Sequence, residues 1–352
     1  MTRTENETRA HETRAHETYE HSARPSTKRW VWLAIGIAGI TALFIVRDLT
    51  GDLDVAIPNQ AQDLLTLAIS VIVESLPFVI LGILLSILVQ VWIPEAWLVR
   101  YLPKNPILRR MAISFLGVLL PVCECGNVPL ARGLMVKGFT VSESMTFLLA
   151  APILNPITII TTHQAFGWDS GILVARLVGG FVIANLVGWL FSLKADQDAM
   201  LTPRFAAECR IPADHDHAES RMRQSLTLFI REASVMMPAL FIGSLVAGGI
   251  QVLVPRSVLV TLGSNPLWSV LAMMVLAFVI AVCSNVDAFF ILPFASTFTP
   301  GSIATFLVFG PIIDIKMLAL LRTTFTTRVL IQLTLIVGLL SALVGLVVNV
   351  VV

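Results

Sequence analysis

The stretch PVCECGNVPL, residues 121–130, places two cysteines and a carboxylate at the end of an otherwise apolar run. Glu124 lies between Cys123 and Cys125, and Pro129 follows soon after. A buried charge and a proline both interrupt a helix that lies in an apolar environment. The run therefore either crosses a membrane as a broken helix or turns back inside the membrane, and this choice decides the fold.

Composition places the chain among multi-pass membrane proteins. Of its 352 residues, 56% are hydrophobic and 13% are charged, whereas a soluble protein has about 25% charged residues. The net charge of +1 gives no reason to expect a nucleic-acid partner. We expect an all-α polytopic protein of the cytoplasmic membrane that has the lipid bilayer as a partner and needs no cofactor.

The apolar runs form one isolated span followed by two groups of four. Most runs are near the roughly 20 residues that span a bilayer. We expect a disordered polar cytoplasmic tail at 1–28, an extra N-terminal transmembrane helix and external loop at 29–63, repeat 1 at 64–193, a polar cytoplasmic linker at 194–223, and repeat 2 at 224–352.

The two groups share one sequence plan. NPILRRMAISFLGVLLPVC (105–123) aligns with NPLWSVLAMMVLAFVIAVC (265–283), and TFLLAAPILNP (146–156) aligns with TFLVFGPIIDI (305–315). The alignment places Cys123 on Cys283 and Asn127 on Asp287. The interrupted segments therefore occupy matching positions, which indicates an internal repeat.

The distribution of Lys and Arg favours re-entrant hairpins over broken crossings. If the runs at 108–136 and 267–297 both turn back within the membrane, Arg47 and Arg256 are the only basic residues left clearly on the side of the membrane opposite the cytoplasm. Cytoplasmic loops carry an excess of Lys and Arg. The two repeats then have inverted topology, and inverted repeats with interrupted helices are typical of secondary transporters.

These motifs resemble the YraQ-type predicted permease family, which includes the ArsP organoarsenical efflux permeases. The resemblance rests on PVCECGNVPLARGLMVKGFTVSESMTFLLAAPILNP and on CSNVDAFF followed by FLVFGPIIDIK, and it covers most of 64–351. It implies an inner-membrane permease in which Cys123 and Cys125 are substrate thiolates. Its shared motif positions are Pro129, Asn155, Pro156, Asp287 and the stretch 310–314. The Cys-Glu-Cys-Gly form differs from the serine-separated cysteines of the arsenical branch, so the substrate does not carry over.

The candidate substrate-binding residues lie at the two interruptions and beside them. They are Cys123, Glu124, Cys125, Asn127, Asn155, Cys283, Asn285 and Asp287. Thiolates select Cu(I), Zn(II) and similar soft ions, and trivalent arsenic is thiophilic by the same reasoning. We expect Cys123, Cys125 and Cys283 to bind the transported species through sulfur. The alternative for Cys283 is that it packs as a small buried hydrophobe.

The candidate coupling and gating residues are the ionisable groups and prolines of the same regions. They are Glu124, Asp287, Asp314, Lys316, Pro129, Pro156 and Pro311. Ionisable residues inside a membrane are costly to bury and usually functional. We expect Glu124 and Asp287 to carry protons, and an ion pair with Lys316 is the alternative for Asp314. Structural roles are predicted for Glu74, Arg176, Arg231 and Glu232.

The sequence therefore predicts a secondary-transporter-like permease, not an enzyme. It would export a small thiophilic solute by alternating access with proton coupling. No phosphate-binding G-x-x-x-x-G-K-[ST] sequence is present. The alternatives are an intramembrane thiol-dependent oxidoreductase, a permease for a small sulfur compound or other non-metal solute, and a passive channel. A homo-oligomer is compatible with the sequence.

Overall fold

The computed structural model describes residues 59–94, 102–119, 122–210, 221–253 and 266–351. The predicted tail at 1–28 and most of the predicted N-terminal segment at 29–63 lie outside these ranges. The first described helix begins at Asn59, ahead of the predicted start of repeat 1 at 64.

The described residues are helical and form no β-sheet; an isolated bridge joins Leu201 to Phe325. The first half contains α1 (Asn59–Ile87, continued by a π-helical turn at Leu88–Trp92), α2 (Pro106–Ser114), α3 (Leu116–Leu119), α4 (Glu124–Val136), α5 (Val141–Ala150), α6 (Pro156–Phe166) and α7 (Ile172–Ser192). The linker contains a 3₁₀ turn (Asp198–Met200) and α8 (Pro203–Cys209). The second half contains α9 (Arg221–Leu253), α10 (Pro266–Ile280), α11 (Asp287–Ile291, continued by a 3₁₀ turn at Leu292–Phe294), α12 (Pro300–Phe309), α13 (Ile315–Leu321) and α14 (Thr327–Val351).

Long apolar helices identify the protein as a polytopic membrane protein. Within the described ranges, four helices are long and apolar enough to cross a bilayer, namely Ala61–Trp92, Ile172–Ser192, Arg221–Val252 and Thr327–Val351. The other helices are shorter because the chain is interrupted between α3 and α4, α5 and α6, α10 and α11, and α12 and α13. The predicted all-α class and the predicted interruptions near Cys123 and Cys283 agree with this arrangement.

Side-chain caps explain why helices restart after these interruptions. Asn155 accepts a hydrogen bond from the backbone N–H of Ile157 at 2.9 Å, and Pro156 occupies the first helical position of α6. A cap side chain satisfies a free N–H, and proline at this position has no N–H to lose. Asp314 caps α13 in the same way by accepting from the N–H of Met317. Asn155 and Asp314, which the sequence alignment matches, therefore each start a helix.

The long helices α1 and α9 run in opposite directions, and so do α7 and α14. Trp92, at the end of α1, lies 5.7 Å from the guanidinium carbon of Arg221 at the start of α9. Gly248, near the end of α9, packs against the backbone of α1 near its start. Lys194, just after α7, donates to Gln332 in the first turns of α14 at 2.6 Å. Both pairs are thus antiparallel.

Contacts join the start of each interrupted segment to the start of the helix that follows it. Arg109, near the start of α2, forms a 2.7 Å ion pair with Glu143 in the first turn of α5 and lies 5.7 Å from the ring of Phe139, which follows α4. Ser269, near the start of α10, donates to Ser302 at the start of α12 at 2.9 Å. We call α2 to α4 hairpin 1 and α10 to α11 hairpin 2.

Glycine at position 82 lets α1 and hairpin 1 touch backbone to backbone. A Cβ atom at Gly82 would overlap the carbonyl oxygen of Gly126 on α4. Because backbone atoms would have to move, we expect Gly82→Ala to lower the free energy of unfolding by about 1–3 kcal/mol. Thermal unfolding in detergent measures this loss.

Gly249 on α9 provides the matched control for Gly82. A Cβ atom there would meet Leu64 Cδ1 at 3.7 Å, an ordinary van der Waals contact. Alanine also favours the helical conformation over glycine, so we expect Gly249→Ala to leave the unfolding temperature unchanged or slightly raised. Equal losses at both positions would contradict the close approach of α1 to α4.

Candidate functional site

We call the interruption between the helices of each hairpin its tip. The tip of hairpin 1 brings two sulfurs and a carboxylate together. Cys123 Sγ, a carboxylate oxygen of Glu124 and Cys125 Sγ lie within 4.8 Å of one another, and all three residues are buried. Cys123 has extended backbone geometry and precedes α4, whereas Glu124 and Cys125 belong to its first turn. The change from extended chain to helix thus gathers three consecutive side chains into one potential ligand set for a soft metal ion.

Hairpin 2 meets this cluster through Glu124. Cys283 Sγ lies 3.8 Å from Glu124 Oε2. The backbone N–H and the hydroxyl of Ser284 donate to the same oxygen at 3.3 and 2.9 Å. The Cys283 thiol also interacts with the Cys123 thiol. The tips of the two hairpins are therefore in direct contact at a buried carboxylate.

Lys316 supplies a positive charge to the cluster from α13. Its ammonium lies 3.4 Å from Glu124 Oε1 and 3.4 Å from the carbonyl oxygen of Ala281. Lys316 and Glu124 are both fully buried. Lys316 forms its ion pair with Glu124 on hairpin 1, whereas Asp314 caps α13 and interacts with Lys316 through its charge.

Asp287 is held in a second buried ion pair. Arg176 on α7 donates to both of its carboxylate oxygens, at 2.9 and 2.6 Å. Arg176 also donates to Thr162 at 2.8 Å and to the carbonyl oxygen of Ser284 at 3.4 Å. Since a guanidinium group stays protonated in proteins, Asp287 has a permanent cationic partner. This bidentate pair ties hairpin 2 to the first half of the chain.

The three asparagines of the predicted site differ in their hydrogen-bond partners. Asn155 Nδ2 donates to the carbonyl oxygen of Val122 at 3.2 Å, next to the tip of hairpin 1. Asn285 accepts from Thr158 on α6 at 3.4 Å. Asn127 is fully buried, and neither polar atom of its side chain has a hydrogen-bond partner among the described residues. Its role in substrate binding remains a prediction.

The three predicted prolines occupy three different kinds of position. Pro129 is inside α4, and Pro156 is the first residue of α6. Pro311 lies in the turn between α12 and α13. Proline at these points removes backbone donors and limits how each helix can continue. Their gating role remains a prediction.

Helix starts surround the buried carboxylates. Glu124 and Asp287 lie in the first turns of α4 and α11, and Asp314 is the residue that caps α13. The N-terminus of a helix carries a partial positive charge that stabilises a nearby carboxylate. The repeated use of interrupted helices thus explains how three acidic side chains can be buried close together.

Some residues at this site are not among the sequence candidates. Ser284 binds Glu124 directly, and the repeat alignment places it on Glu124, which was the available signal. Arg176 and Glu74 are predicted only as structural residues. Glu74 on α1 accepts a hydrogen bond from the backbone of Cys283. No local sequence pattern identifies these long-range partners.

The linker contains helix α8, which packs against hairpin 1 near Arg132, away from the cysteine cluster. Arg132 on α4 binds Glu208 of α8 at 3.1 Å and Glu232 of α9 at 3.0 Å. Its guanidinium carbon lies 4.0 Å from the ring centroid of Phe205, which is buried. Arg231 binds the other oxygen of Glu208 at 2.8 Å. The predicted polar linker thus contains a helix that is docked onto the transmembrane helices.

The position of Cys209 at the end of α8 gives a pH-dependent prediction. Burial, with a smaller contribution from the neighbouring Glu208 carboxylate, raises the pKa of the Cys209 thiol to about 11. Because the thiolate is the reactive form, we expect alkylation of Cys209 by a maleimide at pH 8 to be about 100-fold slower than in the unfolded chain. Peptide mapping by mass spectrometry measures the rate. A rate that stops rising near pH 9 would contradict this prediction.

Comparison with known proteins identifies similar chains. Residues 60–350 match the ArsP_1 family, which is described as "Predicted permease". A Streptococcus mutans protein named as a two-component membrane permease complex subunit is 33% identical over 280 residues, which cover 78% of this chain and 91% of that protein. UPF0718 protein YcgR of Bacillus subtilis is 35% identical over 264 residues, which cover 74% of this chain and 88% of that protein. UPF0718 protein YraQ of Escherichia coli is 34% identical over 115 residues, 32% of each chain. No solved structure matches.

Proposed function

The chain belongs to the predicted permease family, and from this premise we propose that it is a secondary-transporter-like permease for a small thiophilic solute. The solute would be a trivalent arsenical, a metalloid or a soft metal ion. The observation that carries the proposal is the buried cluster of Cys123, Glu124 and Cys125, which Cys283 joins from the other hairpin. Paired sulfurs bind such species. The family relationship indicates a transporter rather than an enzyme.

The proposed architecture is a pair of inverted repeats, each with a re-entrant hairpin. The opposite directions of α1 and α9, and of α7 and α14, support inversion. The ion pair of Arg109 with Glu143 and the contact of Ser269 with Ser302 support hairpins, since each joins the start of a hairpin to the start of the helix that follows it. Secondary transporters of this plan bind substrate near the membrane midplane between the repeats.

The linker side is proposed to face the cytoplasm. Gln197 in the linker accepts from the backbone of Ser142, next to Glu143 and its partner Arg109. Arg132, at the base of hairpin 1, contacts the linker helix α8. Basic residues therefore cluster around the linker, as the positive-inside rule expects for the cytoplasmic face of the membrane.

Glu124 is a better candidate than Asp287 for proton coupling. Asp287 is bound by Arg176 through two short hydrogen bonds, an arrangement that favours the charged carboxylate. Glu124 instead has one longer contact with Lys316 and lies among the thiols. We place the competition between cargo and proton at Glu124 and assign Asp287 to hold hairpin 2 in position. Export driven by proton entry is the expected mode.

A second subunit is part of the proposal. The Streptococcus mutans relative is named as a subunit of a two-component complex, and we extend this arrangement to the present chain, beside the homo-oligomer that the sequence allows. Purification in a mild detergent with mass determination distinguishes the two. Recovery of the chain alone as a monomer would contradict both assemblies.

Growth of a deletion strain tests the proposed function. The strain is complemented with the wild type, Cys125→Ser or Cys209→Ser, and is exposed to trivalent arsenicals, antimonite, Cu(I) and Zn(II). We expect the wild type and Cys209→Ser to restore tolerance to at least one of them, and Cys125→Ser to fail although it is present in the membrane. Equal tolerance with all three versions, or no protection by the wild type, would contradict the proposed function.

A further inference from the structure

We infer that Lys316 is a tethered cation that competes with the transported solute for the Glu124 carboxylate, and that the solute is therefore a soft cation and not a neutral or anionic compound. The inference rests on the proposed function, because it assigns a charge to the cargo of the same site. It also gives Lys316 a role in specificity.

The contacts of Lys316 are too long for a tight structural ion pair. They fit a cation that occupies the Glu124 site and can be displaced. Its ammonium lies 3.4 Å from both Glu124 Oε1 and the carbonyl oxygen of Ala281. A strong charge-assisted hydrogen bond measures about 2.7–2.9 Å. The ammonium also lies close enough to Cys125 and Cys283 to interact with both electrostatically. It is therefore positioned among the groups that would bind the cargo.

The balance of buried charge explains why an incoming cation can replace the Lys316 ammonium beside Glu124. Arg176 is already committed to Asp287 through contacts of 2.9 and 2.6 Å. Lys316 interacts electrostatically with both Glu124 and Asp314, and the half-buried Glu74 adds a further negative charge. A buried carboxylate without a partner is strongly unfavourable. A cationic solute would keep Glu124 paired when Lys316 leaves, whereas a neutral solute would not.

Asp314 provides a place for the displaced ammonium. Its Oδ1 atom accepts from the backbone of Met317, whereas its Oδ2 atom is buried and has no geometrically defined hydrogen bond to any described residue. Asp314 also precedes the first turn of α13, which carries Lys316. Exchange of Lys316 from Glu124 to Asp314 would release hairpin 1 from α13, and in this way cargo binding would loosen a contact between the two halves.

Calorimetry with two thiophilic probes of different charge tests the inference. Purified full-length protein in detergent, in a Cys209→Ser background, is titrated with Ag(I) and with neutral phenylarsine oxide. We expect Lys316→Met to tighten Ag(I) binding by about tenfold or more, because a buried competing charge is removed. Phenylarsine oxide affinity should stay within about threefold, since this probe does not need the carboxylate. No change for Ag(I), or an equal change for both probes, would overturn the inference.

Two further variants keep the test decisive if Lys316→Met does not fold. Asp314→Asn removes the alternative partner of Lys316, so it should weaken Ag(I) binding by about tenfold and leave phenylarsine oxide unaffected. Lys316→Arg retains the charge and should resemble the wild type in its selectivity between the probes. An Asp314→Asn variant with unchanged Ag(I) affinity would count against the exchange.

The same experiment separates this inference from the proposed function. Loss of binding of both probes in Cys125→Ser, together with no effect of the Lys316 and Asp314 variants, would leave the thiophilic site in place and remove only the role of Lys316. If the wild type binds neither probe, the proposed function fails and the inference fails with it.

Discussion

Replacement of Arg176 by methionine is expected to cause one of the largest losses of stability in the protein. It would remove both hydrogen bonds to the buried Asp287 carboxylate and the contact with the carbonyl oxygen of Ser284. Loss of one partner of a buried ion pair costs about 3–5 kcal/mol, because the other charge stays buried alone. We expect a large fall in the thermal unfolding temperature. Tryptophan fluorescence of the protein during heating in detergent measures this fall.

A second substitution separates the charge of Arg176 from its packing. In the double variant Arg176→Met with Asp287→Asn, the unpaired charge is gone, so most of the lost stability should return. Asn is the natural residue at the equivalent position of hairpin 1, where Asn127 is buried without a hydrogen-bond partner among the described residues. A double variant as unstable as Arg176→Met alone would show that packing, and not the ion pair, accounts for the loss.

Serine in place of Cys123 or Cys125 is expected to weaken the binding of a thiophilic probe by about 100-fold. Even loss of a residue that only supports a metal ligand typically costs 10–100-fold in affinity, so loss of a sulfur ligand should reach the upper end of this range. The two sulfurs are mutually close and buried together, and a hydroxyl group is a poor ligand for a soft ion. Isothermal titration with phenylarsine oxide measures the effect.

Cys283 and Cys209 give graded controls for that experiment. Cys283 joins the cluster through Glu124 and the Cys123 thiol, so we expect Cys283→Ser to have a smaller effect of about tenfold. Cys209 lies in the linker helix beside Glu208 and its replacement should leave affinity unchanged. Wild-type affinity in Cys283→Ser would remove this cysteine from the site, and wild-type affinity in Cys125→Ser would place the site elsewhere.

Much of the fold could be predicted from composition and repetition alone. A high apolar content and runs of span length require helices in a membrane, and interruptions at Cys123 and Cys283 follow from the polar and proline residues around them. Caps such as Asn155 and Asp314 can also be read locally, since a cap acts within a few residues of itself. Folding of the linker as α8 was not predicted, because its stability depends on the docking of Phe205 under Arg132.

The partners of the buried charges could not be predicted, because they depend on which helices meet. Arg176 and Asp287 are 111 positions apart, and Lys316 and Glu124 are 192 apart. A local pairing of Asp314 with Lys316 is reasonable from spacing alone. In the structure Asp314 caps α13 through Oδ1, and the ammonium of Lys316 contacts the Glu124 carboxylate of the opposite half.

Transport by the purified protein in liposomes tests the central claim, that a thiophilic solute passes unchanged through the site at the hairpin tips. Vesicles with an imposed proton gradient are supplied with Ag(I) or methylarsenous acid, and the amount and chemical form of the solute inside are measured by mass spectrometry. We predict saturable movement of at least one unmodified solute, which is lost in Cys125→Ser and retained in Cys209→Ser. Chemical conversion of the solute, or equal movement in Cys125→Ser and wild-type vesicles, would contradict the claim.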